Sequence, residues 1–118
     1  MKHVKWQDIP YEKLNDQFLR KIAYDGKIMI GLTEVEKGYV VVAHSPENEQ
    51  MTIVFSGKWR FTIDGVVTDV GPNETIFIPA NAVHSAEALE TLVAYDVFTP
   101  VRQDWLSGSD AYLRDTAE

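Results

Sequence analysis

The sequence contains no cysteine, which excludes disulfides, thiolate nucleophiles, zinc-finger sites and iron–sulfur clusters together. No apolar run approaches the ~20 residues of a membrane-spanning helix. The first residues, MKHVKWQDIPYEKL, lack the apolar stretch of a signal peptide. Positive charge is scarce as well: 11 Lys and Arg stand against 18 Asp and Glu, a net charge of −7. A surface of that sign repels phosphate, so nucleic acids and anionic membranes are poor partners. These absences predict a cytoplasmic protein of a reducing compartment whose partners are small molecules. What is present suffices for a core: 118 residues, 45% of them hydrophobic and 11% aromatic, fit one domain over residues 1–118.

Short alternating runs separated by turn residues dominate the chain. Phe18, Arg20, Ile22 and Tyr24 alternate with Leu19, Lys21 and Ala23, and Ile28, Ile30 and Leu32 follow Asp25-Gly26. Asp-Gly between two such runs predicts a hairpin, since both residues accept positive φ. The device recurs at Asp64-Gly65, and Glu36-Lys37-Gly38 and Ser56-Gly57-Lys58 are read as two further turns. Strands at this spacing predict an all-β sandwich or barrel. Helix signals come only near the end, where DWLSGSDAYLRDTAE offers a Ser109 or Asp110 cap and a short helical tail.

Two strands are apolar on both faces. In QMTIVFS, Gln50, Thr52 and Val54 oppose Met51, Ile53 and Phe55, and in KWRFTI the residues Trp59, Phe61 and Ile63 share a face. Such strands need cover on both sides. The N-terminal segment or a partner subunit would supply it, and a homodimer is expected.

His44, Gln50 and His84 are the residues that could converge. His44 ends the strand YVVVAH, where alternation puts it with Val40 and Val42, and Gln50 opens the next strand. His84 follows IFIPANAVH. Five residues separate Gly38 from His44 and six separate Gln50 from Gly57, and this spacing resembles the first motif of the cupin superfamily. IFIPANAVH, with Pro79 and His84, resembles the second. The resemblance runs from about Tyr24 to Trp105. It implies an antiparallel jelly-roll β-barrel and a divalent transition metal (Ni, Mn, Fe or Zn) held by His44, Gln50 and His84. The family's fourth ligand position falls on Pro46, whose side chain has no donor, with Glu47 and Glu49 nearby as substitutes. Asn73 and Asn81 stand where the family often has glycine, and asparagine tolerates left-handed backbone. Without metal, the same histidines would be hydrogen-bonded cavity residues.

The segment VAYDVFTPVRQDW resembles the corresponding stretch of the KdgF-type pectin-degradation cupins, as do AYDG and HSAEALE. That likeness implies a cavity lined by Asp96, Phe98 and Arg102, with Phe98 binding substrate. It also implies metal-assisted ring opening of an unsaturated uronate to a linear keto form. There the metal would act as Lewis acid, Asp96 as acid or base and Arg102 as a bidentate clamp on the substrate carboxylate. Alternation by itself puts Ala94, Asp96 and Phe98 on one face, and a buried aspartate needs a partner, for which Arg102 is the candidate. An Asp96–Arg102 ion pair could equally be structural. The alternative function is a non-catalytic cupin that binds a small ligand without metal. Other chemistries lack their residues: there is no G-x-S-x-G, P-loop or G-x-G-x-x-G, and Ser45 and Ser85 directly follow histidines, which puts each pair on opposite strand faces. Trp6, Trp59 and Trp105 are expected in the core or an interface, and His3 is incidental.

Overall fold

The computed structural model describes residues 1–44, 46–108, 110 and 113. Among these the chain forms a 3-10 turn at Trp6–Asp8 and eight strands. The strands are β1 (Glu12–Asn15), β2 (Phe18–Asp25), β3 (Ile28–Val35), β4 (Val40–His44), β5 (Glu49–Ile63), β6 (Val66–Val70), β7 (Glu74–Ile78) and β8 (His84–Thr99). A helix α1 (Gln103–Ser107) follows. Every strand pairing is antiparallel, in the order β1-β2-β3-β8-β5-β6, with β4 added to β8 and β7 to β5. This is the jelly roll that the cupin resemblance implies. No helix among the described residues is long and apolar enough to cross a membrane.

Two long strands make two layers out of one sheet. The first half of β5 pairs with β7 and with the second half of β8, while its second half pairs with β6 and the first half of β8. The strand bends between Val54 and Trp59, where its register against β8 shifts repeatedly. Ser56-Gly57-Lys58 is therefore not the turn expected from its composition but a bulged corner inside a strand of 15 residues. Gly57 sits there at φ 80°, and a Cβ on it would lie 2.2 Å from the Thr91 carbonyl oxygen. The corner requires a glycine because the neighbouring backbone passes where a side chain would stand.

The two Asp-Gly hairpins close differently. Asp64 and Gly65 are both at positive φ between the paired residues Ile63 and Val66, as a two-residue turn of this sequence predicts. In the first hairpin Asp25 remains in β2 and pairs with Ile28, so Gly26-Lys27 makes the turn, with Gly26 alone at positive φ. Asn73 and Asn81 adopt left-handed backbone at φ 63° and 65°, so both family glycines are replaced without losing the turn.

Between the layers lies a core of Phe18, Met29, Val54, Trp59, Phe61, Leu92, Ala94 and Phe98, among others. Part of the cover predicted for the outer face comes from the N-terminal segment, whose Trp6 ring lies 5.6 Å from Tyr95. Phe77, at 72% exposure, lies beyond that cover. The helix α1 precedes the tail position expected for it, with Gly108 in left-handed conformation at its end. Ser109 lies outside the described residues, as does most of the tail beyond it. Asp110 and Leu113 are described and buried.

Candidate functional site

Between the layers the barrel holds a cavity of ≈ 40 Å³ whose lining includes His44, Gln50, His84, Asp96, Phe98 and Arg102. His44 and Arg102 also line a second, open cavity of ≈ 360 Å³ together with Pro46, Glu47 and Asp104. The first is an inner chamber and the second its mouth.

His44 faces the chamber for a reason that alternation cannot supply. Val40 and Val42 are exposed, Val41 is buried, and simple alternation would leave His44 outside. Val41 pairs with Ala86 and His44 pairs with His84, so three steps along β4 match two along β8. The extra residue is a bulge that turns His44 inward. The imidazoles of His44 and His84 then meet with ring centroids 4.3 Å apart.

Both rings are oriented by their own backbone. His44 Nδ1 lies 3.0 Å from the Val42 carbonyl oxygen, and His84 Nδ1 lies 3.1 Å from that of Ala82. A carbonyl only accepts, so each Nδ1 carries the proton and each Nε2 the lone pair. Burial lowers the pKa of both histidines, that of His44 to about 4. Neutral imidazoles with Nδ1 tied to a carbonyl are the form in which histidine binds a metal.

Gln50 and Asp96 are joined through Thr52, which sequence reasoning did not single out. Gln50 Nε2 donates to Thr52 Oγ1 at 2.9 Å, and Thr52 Oγ1 donates to Asp96 Oδ1 at 2.7 Å. The β5–β8 register makes this chain possible by placing Thr52 opposite Asp96. With its amide nitrogen used on Thr52, Gln50 has its carbonyl oxygen left as the donor atom for a metal. Burial raises the pKa of Asp96 to about 6, against the Thr52 hydrogen bond and the positive charges of Arg102 and Arg20. Thr52 could have been found by its period-two spacing from Gln50.

Arg102 does not take Asp96 as its ion-pair partner, as expected from sequence, but Asp104. Its Nη2 and Nε reach the two Asp104 carboxylate oxygens at 2.7 and 3.2 Å. The cause is local: Arg102 is the residue before α1 and Asp104 lies in that helix's first turn. The guanidinium carbon also lies 5.1 Å from the Phe98 ring centroid. Trp59 and Trp105 are buried, as expected, but both line the chamber.

The chamber lining offers a metal two imidazole Nε2 atoms and one amide oxygen, from His44, His84 and Gln50. Among the described residues no group of three or more His, Cys, Asp or Glu could hold a metal. Pro46 offers only its carbonyl, and that accepts the Asn81 N–H at 2.8 Å. Glu47 lines the mouth, whereas Glu49 is exposed on the strand face opposite Gln50.

The structure is similar to KdgF from Halomonas sp., with a TM-score of 0.78 and 24% identity over 84% of this chain and 94% of that one. An RmlC-like cupin from Shewanella frigidimarina matches with a TM-score of 0.82 and 20% identity over 89% of this chain and 96% of that one. A Bacillus subtilis oxalate decarboxylase, with Mn(II) centres, matches at 0.76 and 17% identity over 88% of this chain and 33% of its own. Among curated proteins no sequence match reaches significance. The family model for the cupin domain covers residues 31–98, from β3 through the second ligand motif to the end of the chamber wall. With more than half of the sequence matched and a jelly roll carrying both motifs, the chain belongs to the cupin family.

Proposed function

We propose that the protein is a metal-assisted enzyme acting on a small sugar acid, with ring opening of an unsaturated uronate as the reaction that best suits its residues. One observation carries this reading. Two neutral, oriented histidines and Gln50 share one chamber with a carboxyl whose pKa burial raises to about 6 and a buried guanidinium. The likeness to Halomonas KdgF supports the same class of substrate.

His44, Gln50 and His84 would hold the divalent ion, which when bound supplies Lewis acidity to substrate oxygens. A pyranose is too large for the ≈ 40 Å³ chamber, so the ring would occupy the ≈ 360 Å³ mouth with its anomeric end projecting inward towards Asp96. Arg102, held flat by Asp104 and Phe98, binds the substrate carboxylate at the boundary of the two spaces. Asp96, as the carboxylate above about pH 6, takes the proton of the anomeric hydroxyl. The ring carbon–oxygen bond then breaks, giving an aldehyde at one end and an enolate at the other. Protonation of the enolate carbon yields the keto form, so the proton count is unchanged overall.

The test is loss of the unsaturated uronate followed by NMR with Ni²⁺, Mn²⁺, Fe²⁺ or Zn²⁺ added in turn. Turnover with at least one metal, abolished by chelation, is expected. Equal rates with and without protein under every metal would overturn the reading. A second reading, a metal-free ligand-binding cupin, is favoured by Pro46 at the fourth ligand position with its carbonyl already engaged. Elemental analysis of protein loaded with metal and then desalted separates the two.

A further inference from the structure

Trp59 lines the inner chamber, is 4% exposed, and carries the one side-chain polar atom among the described residues that is buried without a hydrogen-bond partner, its indole Nε1. Leaving a buried N–H unpaired costs roughly 1–3 kcal/mol, and a chain seldom keeps such a group without a use. A purely packing role would be met by phenylalanine, as it is two residues on at Phe61, whose ring lies 5.8 Å away on the same face.

We infer that Trp59 is a ligand-binding residue whose indole N–H donates to an acceptor oxygen of the molecule that enters the chamber. Indole is a donor only, so the group it meets is a hydroxyl, ring or carboxylate oxygen and not an ammonium or amide N–H. The ≈ 40 Å³ chamber is too small for the sugar ring itself, so the oxygen that meets Trp59 belongs to a substituent projecting inward from the ring in the mouth.

A buried water is the competing occupant, because ≈ 40 Å³ exceeds the ~10–15 Å³ that one water needs. Trp59→Phe separates the two while keeping the ring. The inference rests on the sugar-acid reading, and the probe is the same unsaturated uronate, titrated by calorimetry with Zn²⁺ present. In parallel, ¹⁵N-labelled wild-type protein is followed through its three tryptophan indole N–H resonances, the Trp59 signal being the one absent from the Phe variant. The expected result is about tenfold weaker uronate binding in Trp59→Phe and a downfield shift of the Trp59 indole resonance on saturation. Equal affinity in both proteins, with that resonance unmoved, means the N–H serves a trapped water and overturns the inference while leaving the sugar-acid reading intact. Absence of uronate binding to the wild type overturns both. Should Trp59→Phe fail to fold, the Trp59 indole resonance is assigned on the wild type by backbone-to-side-chain correlation, and an unmoved signal on saturation still overturns the inference.

Discussion

On one side of the chamber Trp105 lies against the backbone of Gly31, where a Cβ would come within 2.7 Å of its ring, and the Arg20 guanidinium covers it at 4.3 Å. On another side Gln50, Thr52 and Asp96 are strung together by two hydrogen bonds, and each histidine hangs from a carbonyl two residues behind it. The first wall is positioned by volume and by a buried ion pair, since Arg20 reaches Asp110 at 2.7 Å with both side chains at zero exposure. The second is positioned by hydrogen-bond direction, its Thr52, His84 and Asp96 buried but held by polar partners rather than by apolar volume. The comparison separates two kinds of sensitivity. Changes to the packed wall should appear as stability, and changes to the hydrogen-bonded wall as binding and proton chemistry.

The largest effect should come from the packed wall. Arg20→Met removes the cation that faces both Asp110 and Glu12 and leaves their carboxylates behind. Breaking a buried pair from one side costs about 3–5 kcal/mol, which thermal denaturation would report as a large drop in Tm. Divalent-ion affinity of the protein that does fold should be unaltered. An unchanged Tm would mean that this wall is held by Trp105 packing alone, and a lost metal affinity would mean the two walls are not separable.

The next effect has the opposite sign. Asp96 has its pKa raised from 3.8 to about 6 chiefly by burial, so it holds its proton more tightly folded than unfolded. Its contribution to stability is complete below 3.8 and is lost as pH rises through about 6. Above that the ionised form opposes folding by up to ~3 kcal/mol. Asp96→Asn is neutral at every pH and should raise stability at pH 8 while abolishing turnover, a gain that shrinks to nothing by pH 4. The histidines run the other way. Their lowered values mean that they favour folding above 6.5, and for His44 this support is lost as pH falls through about 4. With Asp96 removed, the histidine contribution stands unopposed, so the variant should lose stability more steeply between pH 6 and 4 than the wild type. Urea denaturation at pH 8, 6 and 4 measures both slopes. An Asn variant less stable at pH 8 would show that the carboxylate is structural.

Legibility in the sequence divides along the same line as the two walls. Period-two alternation placed Asp96 beside Ala94 and Phe98, and Asp64-Gly65 announced its turn, because those features depend on nearest neighbours. The turns at Asn73 and Asn81 were expected only from the cupin resemblance. The inward turn of His44 was not legible, since the bulge that causes it is a property of the β4–β8 register and not of YVVVAH. Gly57 looked like a turn residue because glycine marks both turns and bulges; only the Thr91 backbone beside it tells them apart. The partners of Asp96 and Arg102 went the same way. Sequence offered each to the other, while strand register gave Thr52 to Asp96 and the start of α1 gave Asp104 to Arg102. The unpaired Trp59 N–H leaves no trace in sequence at all, since it is defined by what does not surround it.

The smallest predicted effect tests the hydrogen-bonded wall at the position where this chain departs from its family. Pro46 stands at the mouth beside His44, and what fixes its place is its backbone carbonyl, which accepts the Asn81 N–H. A histidine there keeps that carbonyl, so the loop retains its tie, and it adds one imidazole to the two already present. An added donor should tighten a site that has three by at least about tenfold, ~1.4 kcal/mol, the lower end of what a single supporting group contributes to metal affinity. Calorimetric titration of Pro46→His and wild type with Ni²⁺ measures it. A tenfold gain would show that the chamber holds its ion at the level of His44, with residue 46 within reach. Unchanged affinity, with wild-type binding intact, would show that the ion sits deeper, towards Gln50 and His84, where the mouth cannot contribute.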